Sequence, residues 1–203
     1  MTDHSATEGA VDRRTQLLQA TIGVIARRGV RGMRVQEIAA DAGVSVPLLY
    51  HYFGNREGLL EAAMLLASEQ AGGYSARAAQ GAATARAELE ARLLGELQDT
   101  EEVRTNSAAW GELRWSAVFE DNLRPVVQRL TREWVQETAR LVERVVAEEG
   151  GSVELDSRAA AERLVALVEG LSGRWLTGAA KLAGLRRLLR QGIEIEVPRP
   201  GGS

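Results

Sequence analysis

The 203-residue chain predicts an all-α fold, on three observations. Apolar residues return at three- and four-residue steps along most of the sequence, the spacing that gathers side chains on one face of an α-helix. No useful length alternates apolar with polar residues, and IEIEV at 193–197 is the only strand-like run. Gly, Pro, Asn and Asp fall between the periodic stretches, where caps and turns use them. Roughly nine or ten helices are expected.

The first ten residues are polar and small and read as a disordered tail. A helix follows from Asp12, a good N-cap, to Arg28, with Leu17, Leu18, Thr21, Val24 and Ile25 recurring along it. Gly29 is the expected residue just past its end. A short helix then carries Val35, Ile38 and Ala39 on one side. Ala42-Gly43 breaks it, because glycine reaches a left-handed conformation without steric cost. Ser45 or Val46 opens a second short helix. Pro47 is tolerated in its first turn, where the missing N–H would have had no helical partner. Leu49 and Phe53 are four apart and share its inner face, able to pack on Ile38 and Val44. Pro47, Leu48, Tyr50 and His51 stand on the opposite face. Two helices joined this tightly have the geometry of a helix-turn-helix, whose second helix can enter a DNA major groove about 12 Å wide.

Asn55 is the N-cap of a fourth helix through Leu59, Leu60, Ala63, Met64 and Ala67 to near Gln70. Gly58 occupies the place where Glu or Gln would complete a capping box. Gly72-Gly73 and Gly81 are expected to loosen the chain beyond. An Ala-rich helix follows from Ala82 to Leu97 with the stripe Leu89, Leu93, Leu97. The next begins near Glu101 or Val103 and reaches Phe119. Pro125 sits near the start of a long helix ending at Glu149, before Gly150-Gly151. Asp156 or Ser157 caps a helix from Arg158 to Thr177, and a last helix spans Ala180 to Gln191. The tail EVPRPGGS, residues 196–203, is too rich in Pro and Gly to continue it.

Composition narrows the function. The chain has no Cys, which excludes disulfides, thiol catalysis and Cys-ligated metals and suits a reducing compartment. Its two His are His4, in the tail, and His51, on the second short helix, so no catalytic or metal-binding constellation is visible and no cofactor is expected. No apolar run is long enough to span a membrane, and the N-terminus lacks the apolar core of a secretory signal, so a cytoplasmic location is expected. Net charge is −3, but residues 1–56 carry seven Arg against five acids. A basic end on an acidic body suits a protein that presents one end to phosphate.

The residues Gly29, Ile38-Ala39, Ala42-Gly43-Val44-Ser45, Leu49-Tyr50-His51-Tyr52-Phe53 and Asn55-Arg56-Glu57 resemble the DNA-binding domain of the TetR family of bacterial transcriptional regulators. The resemblance implies a helix-turn-helix domain over 11–58 and a helical ligand-binding and dimerisation domain over 59–195. It implies a homodimer on a palindromic double-stranded DNA operator, and a small apolar or amphipathic effector that releases a repressor. A ligand-independent architectural DNA-binding protein of the same fold is the alternative. Carried over by position, Tyr50 and Tyr52 look like phosphate or sugar contacts, His51 lies on the groove side, and Arg56 stands where the family places a basic residue against the backbone. Ser45 opens the recognition helix. Met33 and Arg34 replace the Thr or Ser often found there, and Val46-Pro47-Leu48 are apolar where many members are polar. Those three cannot donate to base edges, which moves polar readout toward Gln36, Arg34, Tyr50 and His51.

The resemblance also implies a ligand cavity. On the helix ending at Phe119, Trp110, Leu113, Arg114 and Ala117 share one face, and Trp115 and Phe119 share the other. One face must pack the core; the other lines a cavity closed by Met64 and Trp134, where Arg114 or Glu112 orients a ligand. Met64, Trp110, Leu113, Arg114 and Trp134 are therefore the candidate ligand residues. Leu164, Val168, Leu171 and Trp175, with Leu185 and Leu189 of the last helix, are the candidate dimer interface, and Gly170 and Gly173 would admit a close helix.

Overall fold

The computed structural model describes residues 4–150 and 155–199. Among them are nine helices and no strand, as the periodicity predicts. They are α1 (His4–Gly32), α2 (Val35–Asp41), α3 (Val46–Phe53), α4 (Arg56–Ala78), α5 (Ala85–Gly95), α6 (Glu101–Ser116), α7 (Leu123–Glu149), α8 (Ser157–Leu176) and α9 (Leu182–Glu196). They form two compact units. One comprises Met1–Glu69 with Thr105–Val127, the other Gln70–Arg104 with Gln128–Ser203. The unit holding the helix-turn-helix is thus larger than residues 11–58, since it takes in the first part of α4 and the second part of α6.

In the first unit α1 packs on α2 and α2 on α3. Helix α1 begins at His4, not near Asp12, so most of the expected tail is helical, and residues 1–3 lie outside the described residues. Leu17, Leu18, Ile22, Val24 and Ile25 are buried, and the one polar residue among them, Thr21, donates its hydroxyl to the Leu17 carbonyl at 2.8 Å. The chain breaks at Gly29 (φ 71°) as expected, then makes one more short helical stretch to Gly32.

The N-cap of α4 is Asn55, whose Oδ1 accepts from Gly58 N at 2.8 Å. The incomplete capping box has a steric cause. A Cβ at position 58 would run into the backbone carbonyl oxygen of Phe53, the last residue of α3, so no side chain fits there. Close approach of α3 and α4 excludes the residue that would have completed the cap.

In the second unit three expectations fail for the same reason. Helix α4 does not stop near Gln70 but passes through Gly72-Gly73 to Ala78. Each glycine costs a helix about 1 kcal/mol. Burial of Tyr74 and Ser75 just beyond them outweighs that cost. Helix α9 does not end at Gln191 but absorbs the strand-like IEIE. Ile193 is fully buried in line with Leu185 and Leu189 at four-residue steps, and Ile195 points outward, 76% exposed. The tail expected from residue 196 is anchored at its start, since Val197 is buried and its carbonyl accepts from Arg86 at 2.8 Å. Residues 200–203 lie outside the described residues. In each case packing overrides a local signal that would break or extend an isolated chain.

Thr84 caps α5 through Ala87 N, and Asp156 caps α8 through Ala159 N. Leu89, Leu93 and Leu97 are buried as predicted. Arg86, 4% exposed, donates twice to Glu149 (2.7 and 2.8 Å) and once to Val197 O, tying α5 to the ends of α7 and α9. Glu149 holds the Arg86 guanidinium above its usual pKa, and Arg86 holds the Glu149 carboxyl below its own.

Gly58→Ala is expected to destabilise the fold by about 1–3 kcal/mol, because the new methyl meets a carbonyl that belongs to a helix end and cannot swing away. Urea unfolding of the variant measures this, and an unchanged midpoint would show that α3 and α4 can separate at no cost.

Candidate nucleic-acid interface

Helix α3 has eight residues and is amphipathic by necessity. Leu49 (0% exposed) and Phe53 (8%) face inward with Ile38 and Ala39 of α2. The α2–α3 turn is closed by Ala42 N to Ile38 O (3.0 Å) and Val44 N to Ala39 O (2.9 Å), with Gly43 at φ 64°. Ser45 is the N-cap of α3, and its Oγ accepts from Leu48 N. With that inward face set, Pro47, Leu48, Tyr50 and His51 are exposed, Val46 and Tyr52 half-buried. Tyr52 sits edge-on to His51 (5.9 Å between ring centres) and tilted to Phe53 (6.2 Å), so it leans toward the core more than Tyr50 does.

Gln36 and Arg34 are both exposed. Arg34 is the N-cap of α2 by backbone alone, with no side-chain cap bond, and makes no ion pair among the described residues. Most of the neighbouring arginines are engaged inside the unit. Arg27 pairs with Asp41 at 2.6 Å, Arg28 lies 3.5 Å from Glu37, Arg14 stacks over Phe53 at 5.4 Å, and Arg31 covers Phe119 at 5.1 Å. The basic N-terminal end is therefore less available to phosphate than its charge count implies.

Arg56 requires a correction. Its guanidinium donates to the Val30 carbonyl at 3.0 Å and to Glu120 at 3.2 Å, joining the start of α4 to the end of α1 and to the turn after α6. It acts as an internal clamp, so its guanidinium is not the unengaged group that the phosphate expectation assumed. Glu112 of α6 is likewise committed, since its Oε2 accepts from Val30 N at 3.2 Å. Sequence reasoning placed Glu112 near a ligand and missed Glu120. The partners of Arg56 and Val30 stand 64 and 82 residues away with no motif to announce them.

The candidate ligand residues are divided between the two units. Met64 and Leu113 are fully buried, and Trp110 and Arg114 are half-buried, all within the first unit. Arg114 lies over Trp115 at 5.4 Å. Trp115 and Phe119 are 63% and 72% exposed, so that face of α6 points to solvent. Trp134 belongs to the second unit, packed against its core with Val135, Ala139, Ala161 and Val165.

The candidate dimer residues are a second correction. Leu164, Val168, Leu171, Trp175, Leu185 and Leu189 are at most 6% exposed in the single chain and form the α8–α9 core. They cannot meet a partner. The residues that α8 and α9 turn outward include Ala166, Gly170 and Gly173, with Thr177 at the C-cap, on one helix and Leu188, Gln191 and Ile195 on the other. Both sets recur at helical spacing. The periodicity was right, but two opposite faces of each helix carry it.

The second unit also holds a group that the sequence did not signal. Glu96, just past α5, accepts a 2.7 Å hydrogen bond from the Tyr74 hydroxyl. Burial pushes its carboxyl up to about 7, against the smaller opposing effect of that hydrogen bond. Among the described residues it makes no ion pair.

The model for "Bacterial regulatory proteins, tetR family" matches residues 17–63, and that for "BetI-type transcriptional repressor, C-terminal" matches 81–198. The transcriptional regulator BetI 1 of Chromohalobacter salexigens is 32% identical over 92% of this chain and 85% of its own. BetI of Burkholderia mallei is 33% identical over 85% and 83%. Among solved structures, a TetR-family regulator from Rhodococcus sp. superimposes with a TM-score of 0.86 at 43% identity, covering 92% of this chain and 99% of its own. A transcriptional regulator from Saccharomonospora viridis, in complex with choline, shares the fold with a TM-score of 0.78 at 23% identity, over 91% and 96%.

Two substitutions separate reading from clamping. Gln36→Ala is expected to relax base preference at one position per half-site, a bidentate Gln–adenine pair being worth roughly 1–3 kcal/mol. Equal weakening on all sequences would make it a backbone contact. Arg56→Ala is expected to lower stability while leaving the salt slope of DNA binding unchanged, because its charge is already paired; a slope reduced by about one per subunit would restore the phosphate role. A third expectation concerns pH. The folded chain holds a proton on Glu96 that the unfolded chain loses above its ordinary value of 4.5. Stability should therefore fall as pH rises from about 4.5 to about 7, by at most roughly 3 kcal/mol, then level off. Glu96→Gln should flatten that slope, measured by urea unfolding at several pH values. An identical slope would mean the carboxyl is solvated.

Proposed function

The chain belongs to the TetR family of bacterial regulatory proteins and is a transcriptional regulator; from that premise we propose that it is a homodimeric repressor released from a palindromic operator by a small cationic effector. The observation that carries the DNA half is α3 itself. Its inner face is pinned by Leu49 and Phe53, and its outer face is exposed at the end of a tight turn. Such a helix has no packing role left for Pro47, Leu48 or Tyr50. Recognition helices of a two-fold dimer stand about 34–36 Å apart, one turn of DNA.

The dimer face we assign is the outward one, with Gly170 and Gly173 of α8 against Leu188 and Ile195 of α9. No atom lies within 4 Å of a Cβ built at either glycine, so a second helix can come close there. Replacing Leu188 and Ile195 together by Glu should yield a monomer in sedimentation at micromolar concentration with its helix content retained. A variant that remains dimeric would move the interface elsewhere.

The effector reading rests on the second unit. A quaternary ammonium is held by aromatic faces and a carboxylate. Tyr74 and Glu96 supply one of each, and Trp134 packs against the same core. Choline, bound by the Saccharomonospora viridis relative, is the first compound to test. A ligand that empties an operator must prefer the released state by about 5 kcal/mol. Choline should release the protein from operator DNA, while its neutral carbon analogue 3,3-dimethylbutan-1-ol should not. Glu96→Gln should bind the DNA normally but ignore choline. Release should also weaken below about pH 7, where Glu96 takes up a proton. Equal release by the neutral analogue would remove the carboxylate from the site.

A further inference from the structure

We propose that α3 reads its operator through the 5-methyl groups of thymine, with Leu48 as the residue that sets this specificity. The proposal rests on the reading of α3 as a recognition helix. The N-terminal residues of such a helix are those that reach base edges, and here they are Val46, Pro47 and Leu48. None of the three side chains has a donor or an acceptor, and Pro47 has no backbone N–H either. The N–H of Leu48 is directed at Ser45 Oγ, 3.4 Å away. Yet Leu48 is 37% exposed, on a helix whose other large aliphatic side chain, Leu49, is fully buried. An exposed leucine at this position is not explained by folding.

The chemistry of the groove decides what it suits. Guanine offers two acceptors in the major groove, cytosine a donor, and adenine one of each. Thymine alone adds an apolar group, its C5 methyl. Covering a donor or acceptor with Leu48 would strip its water and return no hydrogen bond, a cost on every G·C pair. Covering a thymine methyl has no such cost and removes apolar surface from water. The same side chain therefore rejects G·C and selects thymine. The polar groups able to complement it, Gln36 on α2, Arg34 at its N-cap, and Tyr50 and His51 further along α3, are exposed as well.

The test starts from duplexes that the dimer selects out of random DNA. Each thymine in a selected half-site is replaced in turn by deoxyuridine, which keeps every hydrogen-bonding group and lacks only the methyl. At one or two positions the protein should lose roughly fourfold in affinity, and roughly 15-fold when both half-sites are changed, as expected for burial of one methyl per subunit. Leu48→Ala, a substitution at an exposed position, should bind the thymine and deoxyuridine duplexes alike. Cytosine at that position should bind worse than thymine, and 5-methylcytosine should recover part of the difference. Equal binding of deoxyuridine and thymine duplexes at every position overturns the proposal while leaving α3 as a DNA-binding helix. Tighter binding of 5-methylcytosine than of thymine also overturns it, by making methylated DNA the target. Failure to enrich any duplex removes the DNA reading and the proposal together.

Discussion

An eight-residue helix cannot hold its shape alone in water. Nucleating the first turn is unfavourable, and isolated helices shorter than about 12–15 residues are marginal even with ideal composition. Helix α3 is therefore helical only because something outside it makes it so, and the layout of the first unit follows from that constraint. Leu49 and Phe53 give it one buried face. Ser45 caps one end, and Gly54 N donates to Tyr50 O at the other, at 2.8 Å. Helix α4 comes so close behind that position 58 has no room for a side chain. Arg56, two residues before, is held by Val30 O and Glu120, so the start of α4 is positioned by α1 and by the turn after α6. The exposed surface of α3 is what remains when every other need of a short helix has been met.

The same constraint engages most arginines of the helix-turn-helix end inside the unit, so fewer are free for phosphate than their number suggests. A helix-turn-helix built from seven- and eight-residue helices needs external support. Here much of that support is ionic. Arg27 and Arg28 hold α2 through Asp41 and Glu37. Exposed pairs of this kind are individually weak, typically 0–1 kcal/mol, but they also neutralise charge that would otherwise face phosphate. Arg34 escapes because it stands at the cap of α2, where its backbone is used and its side chain is not. Affinity from few free cations and discrimination from an apolar helix tip are consistent with each other. The less the backbone contributes, the larger the share of binding free energy that depends on sequence.

How much of this could be read from the sequence depends on the range of the cause. Local causes were legible: the Gly43 turn, the Ser45 and Asn55 caps, the breaks at Gly29 and Gly150, and the stripes of α5 and α8. Causes that act through packing were not. Gly72-Gly73 reads as a break until Tyr74 is seen buried. IEIE reads as a strand because a period of two and a helix with one buried and one exposed isoleucine can be spelled alike over four residues. Gly58 reads as a missing cap until the Phe53 carbonyl is seen beside it. For α8 and α9 the apolar stripes were correctly found and wrongly assigned, because a stripe names a buried face without saying what buries it. Arg56 illustrates the limit best. Its position in a motif suggested phosphate, and the partners it has within the unit lie in parts of the chain with no motif at all.

Two ionisable groups in the second unit, Arg86 buried and Glu96 half-buried, show how a structural charge differs from an unfinished one. Arg86 is almost wholly buried, yet its donors meet two Glu149 oxygens and the Val197 carbonyl, and Glu194 lies 3.9 Å away. The Glu149 hydrogen bonds outweigh the opposing effect of burial, and its pKa moves up accordingly. Glu96 is the opposite case. Its hydrogen-bond donor is a neutral phenol, no cation pairs with it among the described residues, and burial moves its pKa toward neutrality. A carboxyl in that state carries a free-energy cost at neutral pH that a glutamine of the same shape would avoid. A fold has little use for such a group on structural grounds alone, since Tyr74 could bond equally well to an amide. The cost becomes intelligible if a positive charge arrives there, because the arriving cation recovers the stabilisation that the apo protein lacks. A carboxyl in this state, bonded to an aromatic hydroxyl, would turn the arrival of a cation into a large change in local free energy, which is the property the proposed effector site calls for.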